Sequence, residues 1–128
     1  MTFRKAAFLY FCLAGAVWAQ NQEVVISVDG STPAANGAVL RALDRINGQV
    51  TDLEISPGQT LRYERLDVTL TECRYPAGDE KADAFAYLTI SDVRAEEVAF
   101  EGWMFGSSPA LSSLDHPRYD IWVLNCRA

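Results

Sequence analysis

Short apolar runs, separated by turn residues at intervals of about 8–12 positions, constrain the fold of this chain more than any other feature of its sequence. The runs occupy residues 38–46, 49–55, 61–63, 66–70, 84–90, 98–105 and 119–126. Several short strands with turn signals between them are typical of an antiparallel sandwich or small barrel. The sequence therefore predicts an all-β domain of six or seven strands, with a short helical turn over 110–114 before the last strand.

A hairpin is indicated between the first two runs. The pair Asn47-Gly48 separates them, and an Asn-Gly pair is the strongest short-range hairpin signal because both turn positions favour positive φ. A helix over 38–46 is the rival interpretation, since apolar residues recur there near helical spacing. The Asn-Gly pair and the β-rich residues after it favour the strand.

Alternation along the later runs predicts which side chains share a face. Leu61 and Tyr63 stand at odd-numbered positions, whereas the apolar residues from Leu66 onward in the next run stand at even-numbered positions, and so have the opposite parity. A slip of one residue reverses every side chain in a strand, so a tight turn or bulge is expected at 64–65. In the last run, one face should carry Tyr119, Ile121 and Val123, and the other Trp122, Leu124 and Cys126.

The N-terminal nineteen residues have the order of a secretory signal peptide. Arg4 and Lys5 precede an apolar stretch over 6–17, and Val17-Trp18-Ala19 leads into polar residues. The rival interpretation, a membrane anchor, needs about 20 apolar residues. We therefore expect cleavage after Ala19 and export to the periplasm, with no membrane span retained. The mature chain would comprise a linker over 20–37, with a possible edge strand at 24–28, and one β domain over 38–128.

Export also changes the number of cysteines. Cys12 would leave with the signal peptide, so that Cys73 and Cys126 remain as a pair in an oxidising compartment. A bridge between them is worth about 4 kcal/mol in the chain-entropy model. The alternative is two buried free thiols, which pack as small hydrophobes. Because disulfides persist outside the cytosol, the sequence favours the bridge.

Charge and composition exclude several function classes. The chain has 11 Lys and Arg residues against 17 Asp and Glu, a formal net charge of −6, which disfavours binding to phosphate-rich nucleic acid. A single histidine leaves too few ligands for zinc. The acidic pairs Asp79-Glu80 and Glu96-Glu97 lack the pattern of a calcium loop. We therefore expect no nucleic-acid partner, no metal and no cofactor.

Two C-terminal tracts carry a family resemblance. Residues 100–111, Phe-Glu-Gly-Trp-Met-Phe-Gly-Ser-Ser-Pro-Ala-Leu, and residues 114–126, Leu-Asp-His-Pro-Arg-Tyr-Asp-Ile-Trp-Val-Leu-Asn-Cys, are joined by similar blocks at 39–48 and 66–73. Together they resemble the domain of unknown function 2155 family, a set of exported alphaproteobacterial proteins. The resemblance implies that Cys73 and Cys126 pair as in the family, and it transfers no catalytic residues. Such proteins tend to be encoded beside an accessory factor of respiratory complex I, so an inner-membrane respiratory complex is one candidate partner.

His116 is the one residue around which an enzyme could be drawn. Ser107, Ser108 and Ser112 lie near it in sequence, as do two aspartates, so a small serine hydrolase is a rival function. However, no Gly-x-Ser-x-Gly elbow is present, and triads are recognised by geometry rather than by sequence proximity. The sequence around Asp115-His116-Pro117 is typical of a turn, so we expect an exposed histidine with a modest structural role.

A binding surface is the alternative to catalysis. Trp103, Met104 and Phe105 are consecutive, so a strand cannot bury all three on one face. Either both faces are covered or one residue is displayed, and aromatic and Met residues are enriched at interfaces. The candidate binding surface consists of Trp103, Met104, Phe105, Pro109, Leu111 and His116, with 107–113 as a lid. The leading hypothesis is a non-enzymatic module that binds a protein or an envelope component. A purely structural envelope protein is the third possibility.

Overall fold

Seven strands form the domain in the computed structural model, which describes residues 33–79 and 81–127. They are β1 (Gly37–Asp44), β2 (Val50–Ile55), β3 (Thr60–Tyr63), β4 (Leu66–Arg74), β5 (Phe85–Asp92), β6 (Glu97–Phe105) and β7 (Tyr119–Arg127). A 3-10 helix at Pro109–Leu111 precedes the last strand. The predicted all-β class and the helical turn are confirmed.

The strands form two antiparallel sheets. The first has the order β2-β1-β7 and the second the order β3-β4-β5-β6. Neither sheet closes on itself, so the domain is a sandwich and not a barrel. No helix in the two described stretches is long and apolar enough to cross a membrane.

The core lies between the sheets and follows strand alternation. On β5, Ala86, Leu88 and Ile90 are fully buried while Phe85 and Tyr87 face outward. The largest side chains under 2% exposed are those of Leu40, Ile55, Leu66, Leu70, Leu88, Ile90, Met104, Ile121, Val68, Val123 and Cys73. Both sheets contribute to this set, so the core forms where their two apolar faces cover each other.

The first hairpin forms as a strand pair, and the rival helix over 38–46 does not. Its turn differs from the expected two-residue loop, because Asp44 N–H still donates to Gln49 C=O at 3.0 Å. Gly48 takes φ 74°, but Asn47 does not have positive φ. Instead, Asn47 Oδ1 accepts the N–H of Gln49 at 2.8 Å. The expectation of two positive φ values was therefore wrong, since a longer loop with one left-handed glycine closes the hairpin.

The tight turn predicted at 64–65 is confirmed. Tyr63 and Leu66 are register partners at the end of the β3–β4 hairpin, and both are buried. Glu64 adopts φ 52°, a left-handed conformation that is uncommon for a residue with a side chain. This turn reverses the parity between the two strands, as the sequence pattern requires.

Two bulges turn the cysteines into the core. Cys73 has opposite parity to Leu70, but the register of β4 shifts between Leu70 and Glu72, and Cys73 becomes fully buried. The register between β7 and β1 shifts between Val123 and Asn125. Cys126 therefore points inward with Val123, and the expectation that it shares a face with Trp122 was wrong. A bulge inserts one extra residue and so reverses the alternation beyond it.

The chain already contacts the domain before β1. Ala34 forms an isolated antiparallel bridge with Arg74, and Ala35 N–H donates to Cys73 C=O at 2.7 Å. The last residues of the segment predicted as a linker thus lie along the end of β4. The predicted signal peptide and the possible strand at 24–28 lie outside the described residues.

Candidate functional site

His116 is buried and makes a close hydrogen bond to Asp92. The two side chains are 4% and 3% exposed, and His116 Nε2 lies 2.8 Å from Asp92 Oδ2. His116 Nδ1 accepts the backbone N–H groups of Arg118 at 3.0 Å and Tyr119 at 3.2 Å. Because Nδ1 accepts two hydrogen bonds from the backbone, the ring proton is on Nε2, which donates a hydrogen bond to Asp92. The prediction of an exposed turn histidine was therefore wrong.

Asp92 is held as a carboxylate by its surroundings. The hydrogen bond from His116 lowers its pKa to about 2, helped by the backbone N–H groups of Ala95 and Arg94 and by the charge of Arg65, whereas burial acts in the opposite direction. Arg65 Nε lies 3.2 Å from Asp92 Oδ2. A carboxylate that accepts several hydrogen bonds and lies beside a positive charge is stabilised in its charged form.

A second buried carboxylate, Asp44, extends this network to the first sheet. Arg118 donates to Asp44 Oδ2 at 3.0 Å and lies 5.2 Å from the ring centroid of Tyr119. The ring of Tyr63 packs edge-on against Tyr119 with centroids 5.5 Å apart. Ions and aromatic rings therefore join both sheets at the end where β1, β3 and β5 finish and β7 begins.

The geometry at His116 does not fit a serine hydrolase. Catalysis by a triad needs one ring nitrogen for the carboxylate and the other for the nucleophile. Here Asp92 takes Nε2 and two backbone amides take Nδ1. Ser107 Oγ donates instead to Asp83 at 2.6 Å. Within residues 33–79 and 81–127, no serine hydrogen-bonds to His116.

Four aromatic side chains share the outer face of the second sheet. Phe85 is the register partner of Phe105, and Tyr87 is the partner of Trp103. Both pairs are edge-to-face, with centroids 5.9 and 5.3 Å apart. All four rings are half-buried, although they point away from the core. We call Phe85, Tyr87, Trp103 and Phe105 the aromatic face.

Charged residues border the aromatic face. On β4, Glu72 is the register partner of Tyr87 and Arg74 that of Phe85. Their side chains form an ion pair with a 2.9 Å separation. Tyr87 Oη also lies 3.4 Å from Glu101 Oε1 on β6. The face thus combines aromatic surface with polar groups at its edges, as protein interfaces do.

A small groove lies beside the 3-10 helix. It has a volume of about 280 Å³, and its lining residues are Pro109, Ala110, Ser112, Ser113, Asp120, Ile121 and Trp122. The residues predicted as a lid therefore do border a groove, but its aromatic wall is Trp122 on β7 and not Trp103. Leu111 projects from the same helix and is 61% exposed.

Comparison with known proteins places the chain in a family. The model of the family described as "Uncharacterized protein conserved in bacteria (DUF2155)" matches residues 38–126, which is more than half of the chain. The chain belongs to the DUF2155 family. It is also 27% identical over 94 residues to an uncharacterized protein of Rickettsia prowazekii (strain Madrid E). That match covers 71% of this chain and 60% of the relative. No solved structure matches the chain.

The DUF2155 match includes both cysteines and all seven strands except the first residue of β1 and the last residue of β7. Cys73 and Cys126 form a disulfide with a Cα–Cα distance of 5.8 Å. This bond joins the end of β4 in one sheet to the end of β7 in the other. The predicted disulfide is confirmed.

The DUF2155 fold separates the six residues predicted as a binding surface. Trp103 and Phe105 lie on the aromatic face, and the sites of Pro109 and Leu111 follow on the exposed 3-10 helix. Met104 is 1% exposed in the core, and His116 is buried in the ionic network. Of the six, only Trp103, Phe105, Pro109 and Leu111 are accessible to solvent. In the described part of the chain, no group of three or more His, Cys, Asp or Glu side chains is placed to hold a metal ion.

Sequence reasoning missed Phe85 and Tyr87 on the aromatic face and Asp92 beside His116. A signal existed for the first two, because they alternate with small and aliphatic residues on a strand that is contacted on both faces. For Asp92 there was none, since it lies 24 positions from His116.

Proposed function

We propose that this DUF2155 domain is a non-enzymatic binding module that acts in the periplasm and holds a protein or another envelope component. The observation that carries the proposal is the aromatic face. The outer face of a solvated sheet normally alternates to polar residues. Here two adjacent register pairs are aromatic instead, which is a contiguous apolar patch of the kind that marks interaction sites.

The composition of the patch supports a binding role over a purely structural one. Trp, Tyr, Phe and Arg are enriched at the centres of interfaces because their large surfaces bury well and keep polar contacts at the edge. Trp103 and Tyr87 supply such rings, and Arg74 and Glu72 flank them. A structural envelope protein has no need of an aromatic array on a face that covers no core.

The periplasmic location rests on the sequence and on the disulfide. The order of the first nineteen residues is that of a signal peptide. The Cys73–Cys126 bond is a structural crosslink of a kind that persists where thiols are not kept reduced. Family gene neighbourhood makes an inner-membrane respiratory complex one candidate partner.

Site-specific photo-crosslinking in intact cells tests the proposal. A photo-reactive phenylalanine analogue replaces Phe105, and a matched control carries it at Val39, which is half-buried on the outer face of the opposite sheet. We expect one discrete adduct from position 105 and none from position 39. The double variant Tyr87→Thr, Trp103→Thr should abolish the adduct, since threonine keeps the strands but removes the rings. Equal labelling at both positions, or no adduct at either, would contradict a binding role for this face.

A further inference from the structure

The end of the sandwich opposite the disulfide displays most of the exposed apolar side chains. We call this the turn end: the β1–β2 turn, the β3–β4 turn, the β5–β6 turn, and residues 115–118. Ion pairs between these segments place them side by side. Four of the five large apolar residues that are more than a third exposed in the described chain lie at or beside it, namely Ile46 at 73%, Val50 at 54%, Val93 at 38% and Val98 at 57%.

A bulge directs one of these side chains outward. Met104, Gly102 and Phe100 pair with the inward residues of β5, so strict alternation would point Val98 inward too. The register shifts between Ile90 and Ser91, and Val98 instead pairs with outward-facing Ser91. The exposure of Val98 therefore follows from a specific irregularity of β6. Bulges commonly re-aim side chains near functional sites.

The turns that carry the exposed residues are held by buried groups. Asp44 Oδ1 accepts the N–H of Ile46 at 3.0 Å. Asp92 Oδ1 accepts the N–H groups of Arg94 and Ala95 at 3.0 and 3.2 Å. Such contacts fix the turns in one conformation before any partner arrives. A surface that is already ordered loses less entropy on binding.

The charge of the turn end is acidic once its internal ion pairs are assigned. Arg45, Arg65 and Arg118 pair with Asp120, Asp92 and Asp44. Four exposed carboxylates make no ion pair with any described residue: Glu64, Glu96, Glu97 and Asp115. Among the described arginines of the turn end, Arg94 alone forms no ion pair with a described carboxylate, so negative charge exceeds positive charge there.

We infer that the turn end is a docking surface for a partner protein that presents basic residues around apolar side chains. The valines and Ile46 supply area to bury, and the carboxylates supply complementary charge that favours encounter and orientation. A symmetric contact with a second copy would bring the same patch against itself and oppose like charges. Anionic lipid and nucleic acid are repelled by the same carboxylates. No residue of the aromatic face belongs to the turn end, although Val98 points from the same side of the second sheet. Ile46 lies in the β1–β2 turn of the other sheet, so capture at position 46 tests the turn end independently of the aromatic face.

Photo-crosslinking with a charge-reversal arm tests this inference on the full chain in intact cells. The reactive analogue is placed at Ile46 and, separately, at Val98. The matched control is Leu111, which is apolar and 61% exposed but lies on the 3-10 helix. We expect positions 46 and 98 to capture the same protein, identified by mass spectrometry, through a peptide rich in Lys or Arg. Position 111 should not capture it.

The variant Glu96→Lys, Glu97→Lys then decides whether charge matters. It should reduce capture by about tenfold or more, because two attractive contacts become repulsive. The control Glu54→Lys, Asp79→Lys makes the same charge change away from the turn end and should leave capture unchanged. Thermal melts of all variants confirm that folding is retained. The inference fails if capture survives the reversal, if the captured chain is a second copy, or if neither position captures any protein.

Discussion

The two ends of this sandwich are fastened by different chemistry. At one end, Cys73 and Cys126 join β4 to β7 covalently. At the other, the hydrogen bond from His116 to Asp92 on β5 links the segment before β7 to the second sheet, and Arg118 pairs with Asp44 within the first sheet. A crosslink stabilises mainly by restricting the unfolded chain, and its contribution does not depend on protonation. The ionic end contributes only while its carboxylates stay charged, so each end responds to a condition that the other ignores.

Reduction of the disulfide should have the largest effect. Loss of the bond is expected to destabilise the domain by about 2–4 kcal/mol, which corresponds to a fall in melting temperature of about 10 °C or more in a domain of this size. Melting curves with and without reductant measure it. The variant Cys73→Ala, Cys126→Ala should melt low and ignore reductant. An oxidised protein whose reduced form melts at the same temperature would show that the crosslink adds nothing.

His116→Ala should rank second. It removes the donor to buried Asp92 and the acceptor of two backbone amides, and unpaired buried groups cost about 1–3 kcal/mol. Urea unfolding gives the change in free energy. Asp115→Ala, at the exposed preceding residue, serves as the control and should stay within about 0.5 kcal/mol of wild type. If the two variants were equally stable, the ionic end would not fasten the sheets.

Acid should distinguish the two ends. The folded-state pKa of Asp92, about 2, lies below the usual value of the unfolded chain. Folding therefore favours the carboxylate, which contributes stability above about pH 4, and this contribution is lost as the pH falls from about 4 toward about 2. Urea midpoints across that range should drop in wild type and drop less in Asp92→Asn.

The disulfide variant completes the acid experiment. Cys73→Ala, Cys126→Ala should lower the whole curve without changing its slope, because the disulfide does not titrate. If the pH dependence of the urea midpoint flattened in the cysteine variant and persisted in Asp92→Asn, the acid response would belong to the disulfide end, which would contradict this prediction.

The sequence predicts the disulfide end better than the ionic end. The pairing of Cys73 with Cys126 follows from counting the cysteines that remain if the predicted signal peptide is removed, and the strands follow from alternation and turn residues. The bulges that turn both cysteines inward cannot be read from the sequence, because an extra residue in a strand leaves no compositional mark. Cys126 was accordingly assigned to the wrong face.

The ionic end depends on contacts between distant turns. The neighbours of His116 are typical of a turn, and only the packing of the end of β5 against residues 115–118 brings Asp92 to it. The residues around a turn predict its backbone conformation, but they do not predict which distant segment packs against it. The same limit applies to the aromatic face, where Trp103 was a candidate but its partner Tyr87 emerged from strand register.

The smallest expected effect comes from an exposed ion pair at the disulfide end, which we compare with a buried one at the ionic end. Arg127 and Glu54 form an ion pair at 3.1 Å, and Arg118 and Asp44 form one at 3.0 Å. Glu54 is 71% exposed whereas Asp44 is 6% exposed, so water screens the first pair more than the second. Glu54→Ala should cost less than about 0.5 kcal/mol.

Asp44→Ala should lower the urea midpoint clearly more. The hydrogen bond from Arg118 lowers the pKa of Asp44. Removing the Asp44 carboxylate also deprives the Ile46 N–H of its hydrogen-bond acceptor. Equal costs for the two variants would mean that burial of the carboxylate does not set the strength of the ionic end. A larger cost for Glu54→Ala would reverse the comparison and place the important ion pair beside the disulfide.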